Sequence, residues 1–189
     1  TPLKTFAAPH PNGVRTMDIS PDGKHLVTLS AGTCPQILSV WDCSRGGSDT
    51  PLYSAQVTTA TGAEAEVQTS VRLDPSDPST IVTNGASIVI FWSFATGVLS
   101  YYSPPLGEHD FKQHIGELTQ SVFIPNSTRA VTATVDGDAV LWDCIKQGPD
   151  EPLTERRASK VVRLHTSGVN SLLTSGECLV SGGADGHIR

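Results

Sequence analysis

The chain has 189 residues, with 13 Lys and Arg against 19 Asp and Glu, for a formal net charge of −6. That balance argues against binding nucleic acid through a broad basic field, which needs many cations to displace counterions from phosphates. Only 17% of residues are charged and 38% are hydrophobic, which excludes charge-driven disorder and the Glu- and Lys-rich heptads of a coiled coil; no apolar run approaches the roughly 20 residues that span a bilayer.

Residues 1–9 carry, at 3–7, a short run that reads as the outer strand of a preceding unit. The first full unit, 10–65, has an alternating strand over 14–19, the turn Ser20-Pro21-Asp22-Gly23, a return strand over 25–29, and a third strand over 37–41 that ends in Trp41. An outer strand over 52–57 and a small polar linker over 58–65 complete it. The second unit, 66–113, repeats the order: strand 68–73, turn Asp74-Pro75-Ser76-Asp77-Pro78, strand 80–83, strand 88–92 ending in Trp92, and strand 98–102. The third, 114–164, has strand 118–124, turn Pro125-Asn126-Ser127, strand 129–134, strand 139–142 ending in Trp142, and an outer strand over 160–164. A polar insertion over 147–159 precedes that outer strand and reads as a surface loop. The fourth, 165–189, offers strands over 169–174 and 178–181 and stops inside its third. Pro, Gly, Asp and Asn fall where tight turns need a fixed or positive φ and stay out of strand interiors.

Trp41, Trp92 and Trp142 recur about 50 residues apart, each closing a β-rich run. Each unit is therefore expected to be a four-stranded antiparallel sheet. Such a sheet cannot bury both faces alone, so the units are expected to stack radially as the blades of an all-β propeller. Three blades and most of a fourth fit in this length, and a ring of seven or eight would need roughly twice as much. The chain is thus expected to be an arc of a propeller completed by further chain on both sides. The first residue being Thr, with Met17 the one methionine, points the same way.

At these residues the sequence resembles the WD40-repeat family. Trp41-Asp42 and Trp142-Asp143 match the dipeptide that names it, Ser20-Pro21-Asp22-Gly23 is similar to its first turn, and Asp136-Gly137 and the run from Ser181 to Gly186 are similar to its turn into the third strand. The resemblance implies a hydrogen-bonded structural tetrad in each blade: His114, Thr132, Asp136 and Trp142 in the third, and His165, Ser181 and Asp185 in the fourth, with a Trp partner expected near position 191. His10, His114 and His165 each stand four residues before the first strand of their unit. Pro35 and Ala86 occupy the Asp position in the first two units, which are expected to depend on apolar packing instead. A Ser, a His and an Asp also invite a hydrolase reading, but no GxSxG elbow is present and the trio repeats with the period of the blade.

Further runs narrow the resemblance. The stretch from Tyr101 to Leu106, Asp110-Phe111-Lys112, the stretch from Ile115 to Phe123, and Ile81-Val82-Thr83-Asn84 are similar to the WD-repeat subunit family of the calmodulin- and spoke-associated complex of motile cilia. That likeness implies a non-enzymatic scaffold of the ciliary or flagellar axoneme, at the base of a radial spoke. Its implied partners are the other subunits of that complex, radial spoke proteins and the doublet microtubule, with calmodulin reached indirectly. No cofactor, metal, nucleic acid or membrane enters. The alternatives are another microtubule-associated or general WD40 scaffold, or a propeller enzyme, which would need a nucleophile or metal ligands outside the tetrad positions.

The remaining motifs are expected to be structural. Ser44-Arg45-Gly46-Gly47-Ser48 lacks the Lys and the helix of a phosphate loop. Glu64 with Glu66, and Asp74 with Asp77, do not resemble an EF-hand. Cys34, Cys43, Cys144 and Cys178 lack zinc or redox spacing and read as thiols, and Asn126-Ser127-Thr128 as a polar turn. Arg156, Arg157, Lys160 and Arg163 form a basic cluster that reads as a solvated loop and edge strand, or as a dock for an acidic partner. The loops 147–159 and 104–114 are the expected partner-binding connections.

Overall fold

Strands form here where apolar and β-branched side chains alternate, and they end at turns built on Pro, Gly and Asp. The computed structural model describes all residues except 1–3, 8, 33–34, 45–47, 59–61, 64, 108–110, 112 and 146–154. The first sheet is β1 (Val14–Ile19), β2 (His25–Ser30), β3 (Ile37–Asp42) and β4 (Tyr53–Gln56), paired antiparallel in that order. The second is β5 (Ser70–Leu73), β6 (Thr80–Asn84), β7 (Val89–Ser93) and β8 (Ser100–Tyr102). The third is β9 (Leu118–Phe123), β10 (Ala130–Thr134), β11 (Asp138–Ile145) and β12 (Glu155–Arg163). A hairpin of β13 (Val169–Ser175) and β14 (Cys178–Gly183) begins the fourth, with a bridge from Gly182 to Ile188 where a third strand would run.

The core lies in the seams between successive sheets. Val27, Leu29, Leu38 and Val40 meet Val71, Ile81, Ile90 and Trp92 in the first seam. The alternate residues Val82, Val89 and Phe91 face the other way and meet Leu118, Phe123, Val140 and Trp142 in the second. Val122, Val131 and Ala139 then meet Val169 and Leu172 in the third. Period-two alternation thus gives the second and third sheets two apolar faces each, one for either neighbour.

The inner strands also share a defect. Pairing slips by one residue near the start of β1 and of β13, and near the end of β10 opposite β9, so an added residue bends three inner strands at equivalent places.

Two expected elements differ. Residues 4–7 are not a strand: Lys4 donates to the carbonyl of Asp42 at 2.7 Å and Phe6 packs against Trp41 with ring centroids 5.0 Å apart, so this stretch covers the first sheet by side chains and pairs with no strand among the described residues. The outer strand of the third blade begins at Glu155 rather than 160, because β11 runs on past Trp142 to Ile145 and offers Asp143, Cys144 and Ile145 as partners to Arg157, Arg156 and Glu155. The rest of the expected 147–159 loop lies outside the described residues. The 104–114 connection is less polar than expected, since Leu106 and Phe111 pack against the second seam. Cys43, Cys144 and Cys178 are free thiols, and Cys34 lies outside the described residues.

Gly137, in the turn between β10 and β11, has φ 93° and accepts the amides of Leu164 and His165 at 2.9 Å. A Cβ there would sit 2.4 Å from the carbonyl oxygen of His165 and 2.5 Å from that of Ser167. Gly137→Ala is therefore expected to cost about 2–4 kcal/mol, combining positive-φ strain with a backbone clash, and to show as a lower thermal midpoint with early proteolysis of the β13–β14 hairpin.

Candidate functional site

The buried polar side chains are assembled into one relay per blade. In the first three blades each begins with a hydroxyl on the second strand and a Trp on the third. In the first blade Trp41 Nε1 donates to Thr28 Oγ1 at 2.8 Å, and Thr28 is 2.8 Å from His10 Nε2. In the second, Trp92 Nε1 donates to Thr83 Oγ1 at 3.1 Å, and Thr83 donates to Gln68 Oε1 at 3.0 Å. In the third, Trp142 Nε1 donates to Thr132 Oγ1 at 2.9 Å, and Thr132 is 2.8 Å from Ser121 Oγ. In the fourth, Ser181 Oγ is 2.9 Å from His165 Nε2, whose Nδ1 lies 2.9 Å from Asp185 Oδ1. A hydroxyl that accepts from indole still has its proton to give, which suits a neutral His10 ring accepting at Nε2.

Thr132 and Trp142 are brought together as expected, but His114 and Asp136 are not part of that relay. Both are exposed. Ser121 stands directly opposite Thr132 in the β9–β10 register and supplies the third member, while the Asp136 carboxylate lies over Gly116, where a Cβ would come within 2.3 Å of it. The first two blades also differ from expectation: besides apolar packing they carry polar relays, through His10 and through Gln68. The signal for these was a Thr 13 residues before Trp41 and 9 before Trp92, against 10 for Thr132 and Trp142.

The residue two places after each relay hydroxyl decides how the following turn is capped. Ser30 Oγ accepts the amide of Ile37 at 2.8 Å and Thr134 Oγ1 that of Asp138 at 3.1 Å, so these turns cap themselves. At the same place the second and fourth blades have Gly85 and Gly183. A Cβ on Gly85 would strike Glu66 Oε1 at 2.4 Å, and one on Gly183 would strike His165 Nδ1 at 2.2 Å. The space admits a cap from elsewhere: Glu66 accepts the amides of Ser87 and Ile88 at 2.6 Å, and Asp185 accepts those of Thr166 and His187 at 3.1 Å. Burial pushes the Asp185 carboxyl up, but the Thr166 amide, the His165 ring and the His187 amide outweigh it and hold the group below the usual carboxylate range. His10, 3% exposed, is held below the ordinary imidazole value by burial.

Hydrogen bonds also cross every seam. Asp18 Oδ2 accepts the Leu73 amide and Gln120 Oε1 the Leu172 amide, at 2.8 and 2.9 Å. Gln36 pairs both ends of its amide with the backbone of Gln68, at 2.9 and 2.8 Å. On β8, the Tyr101 hydroxyl bonds Thr58 of the first blade, and the Tyr102 hydroxyl accepts the Arg156 amide of the third at 2.7 Å.

Arg156 does not belong to a solvated basic patch. Its side chain is 9% exposed, lies 5.0 Å from the ring centroids of both Phe91 and Phe123, and donates from Nε to the carbonyl of Thr128 at 2.9 Å. Arg157 and Lys160 remain exposed on β12, and Arg163 pairs with Asp138 at 3.0 Å. A positive charge buried between aromatic faces is a seam fastener, and its place could not be read from the charged residues around it.

Residues 1–189 match the family described as the CFAP251 N-terminal domain. The chain is 42% identical to cilia- and flagella-associated protein 251 of Chlamydomonas reinhardtii over 206 residues, covering 100% of this chain and 25% of that protein. It is 34% identical over 208 residues to the protein of the same name from Tetrahymena thermophila, covering 100% of this chain and 20% of that one. The chain thus spans about a quarter or less of the relatives it matches. Among solved structures it resembles the RRP9 WD40 repeats, with a TM-score of 0.67, 14% identity, and coverage of 95% of this chain and 48% of that one. At that identity the likeness speaks for the fold, a partial WD40 β-propeller.

Thr132→Val keeps the shape but leaves the Trp142 indole N–H without its acceptor in a fully buried site. An unsatisfied buried donor costs about 1–3 kcal/mol; chemical denaturation of the variant against the unaltered chain checks it. Because the native His10 ring is neutral, its contribution is present above the unfolded imidazole value of about 6.5 and is lost as pH falls through the lower native value. His10→Gln, which installs the acceptor that Gln68 provides in the second blade, is expected to hold neutral-pH stability and flatten the loss that sets in below about pH 6.5, read from melting midpoints against pH.

Proposed function

The chain belongs to the CFAP251 N-terminal domain family, and from that premise we propose that it is part of a non-enzymatic interaction scaffold in cilia and flagella. The reading is carried by the similarity along the whole chain to cilia- and flagella-associated protein 251 from two distant organisms. It is supported by the fate of the polar side chains: the His, Ser, Thr and Asp groups that could imitate a catalytic triad are spent on relays and turn caps inside the blades. Rigid sheets behind short turns offer two broad faces on which many modest contacts can add up, which suits a protein that holds others in place.

In its finer form the proposal places the protein in the axoneme, within the calmodulin- and spoke-associated complex at the radial-spoke base on the doublet microtubule. Other subunits of that complex, radial spoke proteins and tubulin are its partners, and calmodulin is reached through them. The test is electron tomography of axonemes from cells lacking the protein. Loss of a spoke or of the density at its base is the expected outcome, together with impaired beating; a complete spoke array would overturn the placement.

A further inference from the structure

The seam between the second and third blades opens on one face into a cleft of about 830 Å³. Tyr101 and Tyr102 line it half-buried, and each hydroxyl is already tied to a neighbouring blade, so the rings are what they have to offer. Among the described residues the charged groups of the lining are three carboxylates, Asp74, Asp77 and Glu155, against the one guanidinium of Arg156, a formal balance of −2. That guanidinium is committed inside the seam: it lies against Phe91 and Phe123, donates to the Thr128 carbonyl and pairs with Asp74 at 3.9 Å. Asp74 is itself 3% exposed, and burial holds its carboxyl above the usual range although the amides of Ser76 and Asp77 and the Arg156 cation act the other way. Asp77 is exposed on the turn between β5 and β6 and accepts the hydroxyls of Ser79 and Thr80 at 2.6 and 2.8 Å. Glu155, at the start of β12, is exposed and has a partner within the chain.

Hydroxyl and amide donors stabilise a carboxylate without cancelling its charge, so the cleft is short of positive charge. Carboxylates gathered in a concave site with low-dielectric walls focus their field on what enters it. Such a site repels an acid and draws in a cation. Tyrosine rings beside it favour a cation on a long apolar stem, whose methylenes cover the rings while the charged head stays at the wet rim. We propose that this cleft receives a basic side chain, Lys or Arg, of a partner's extended peptide, with its stem along Tyr101 and Tyr102 and its head at the acidic rim of Asp77 and Glu155. A bare metal ion is the poorer match, because no group of His, Cys, Asp and Glu among the described residues is placed to hold one. The inference rests on the scaffold reading only for the existence of a protein partner, and axoneme architecture does not enter its test.

Cys144 lines the same cleft and is half-buried, whereas Cys178 is exposed on β14. The full-length protein would be mixed with octapeptide pools carrying a fixed Arg, Lys, Gln or Glu, and the maleimide labelling rate at each thiol read by mass spectrometry. The Arg and Lys pools are expected to protect Cys144, the best peptide slowing its labelling about tenfold at roughly ten times its Kd, with Cys178 unchanged. Equal or stronger protection by the Gln or Glu pool, or protection by none, overturns the proposal. Asp77→Asn keeps the shape of the turn, removes one charge and is expected to weaken the best basic peptide about tenfold. Asp49→Asn, at an exposed position outside the cleft, is expected to leave that affinity unchanged; equal affinities in the two variants also overturn the proposal. Should Asp77→Asn melt early, the comparison of pools on the unaltered protein decides.

Discussion

A four-stranded sheet with apolar side chains on both faces must be covered on both sides, and that requirement governs everything else in this chain. Trp92 and Ile90 point one way from β7 while Phe91 and Val89 point the other. At about 25 cal/mol per Å² of apolar surface removed from water, burying side chains of this size contributes more than any single polar contact can. The seams therefore supply the driving force. The hydrogen bonds within and between blades decide which face meets which neighbour and in what register.

The relays show how little of the polar chemistry is fixed by that arrangement. A Trp indole and a hydroxyl one strand away are common to the first three blades, but the next member is His10, Gln68 or Ser121. What matters is a second hydrogen-bond partner for the hydroxyl, and an imidazole, an amide oxygen and a second hydroxyl all serve. The turn caps vary with equal freedom, provided the backbone makes room: Gly85 and Gly183 occur where another side chain must pass, and Ser30 and Thr134 where the strand caps its own turn. A buried network tolerates a change of partner far better than the loss of one.

The recurrence of Trp every fifty residues and the alternation around it made the blades and their strand order legible, because both signals are local and repeat. Features that depend on distant residues were not legible. Arg156 sits among charged neighbours in sequence, so composition assigns it to a surface loop; its burial comes from Phe91 and Phe123, contributed by two different blades. His114 has the right spacing before β9, yet Ser121 on that strand lies closer to Thr132 in the folded register. Spacing along a chain specifies which residues can reach a place, and the occupant is chosen by whichever group the pleat already holds there.

Tyr101 and Tyr102 are adjacent on β8, and the pleat sends one hydroxyl to each neighbouring blade. This makes the outer strand sensitive to parity. Inserting or deleting one residue between Trp92 and Tyr101 would exchange the two rings, presenting each blade with the wrong partner, whereas a change of two would restore the phase. Descent within such a repeat should thus favour substitutions and paired length changes near β8, and confine odd-numbered ones to connections whose phase no seam reads.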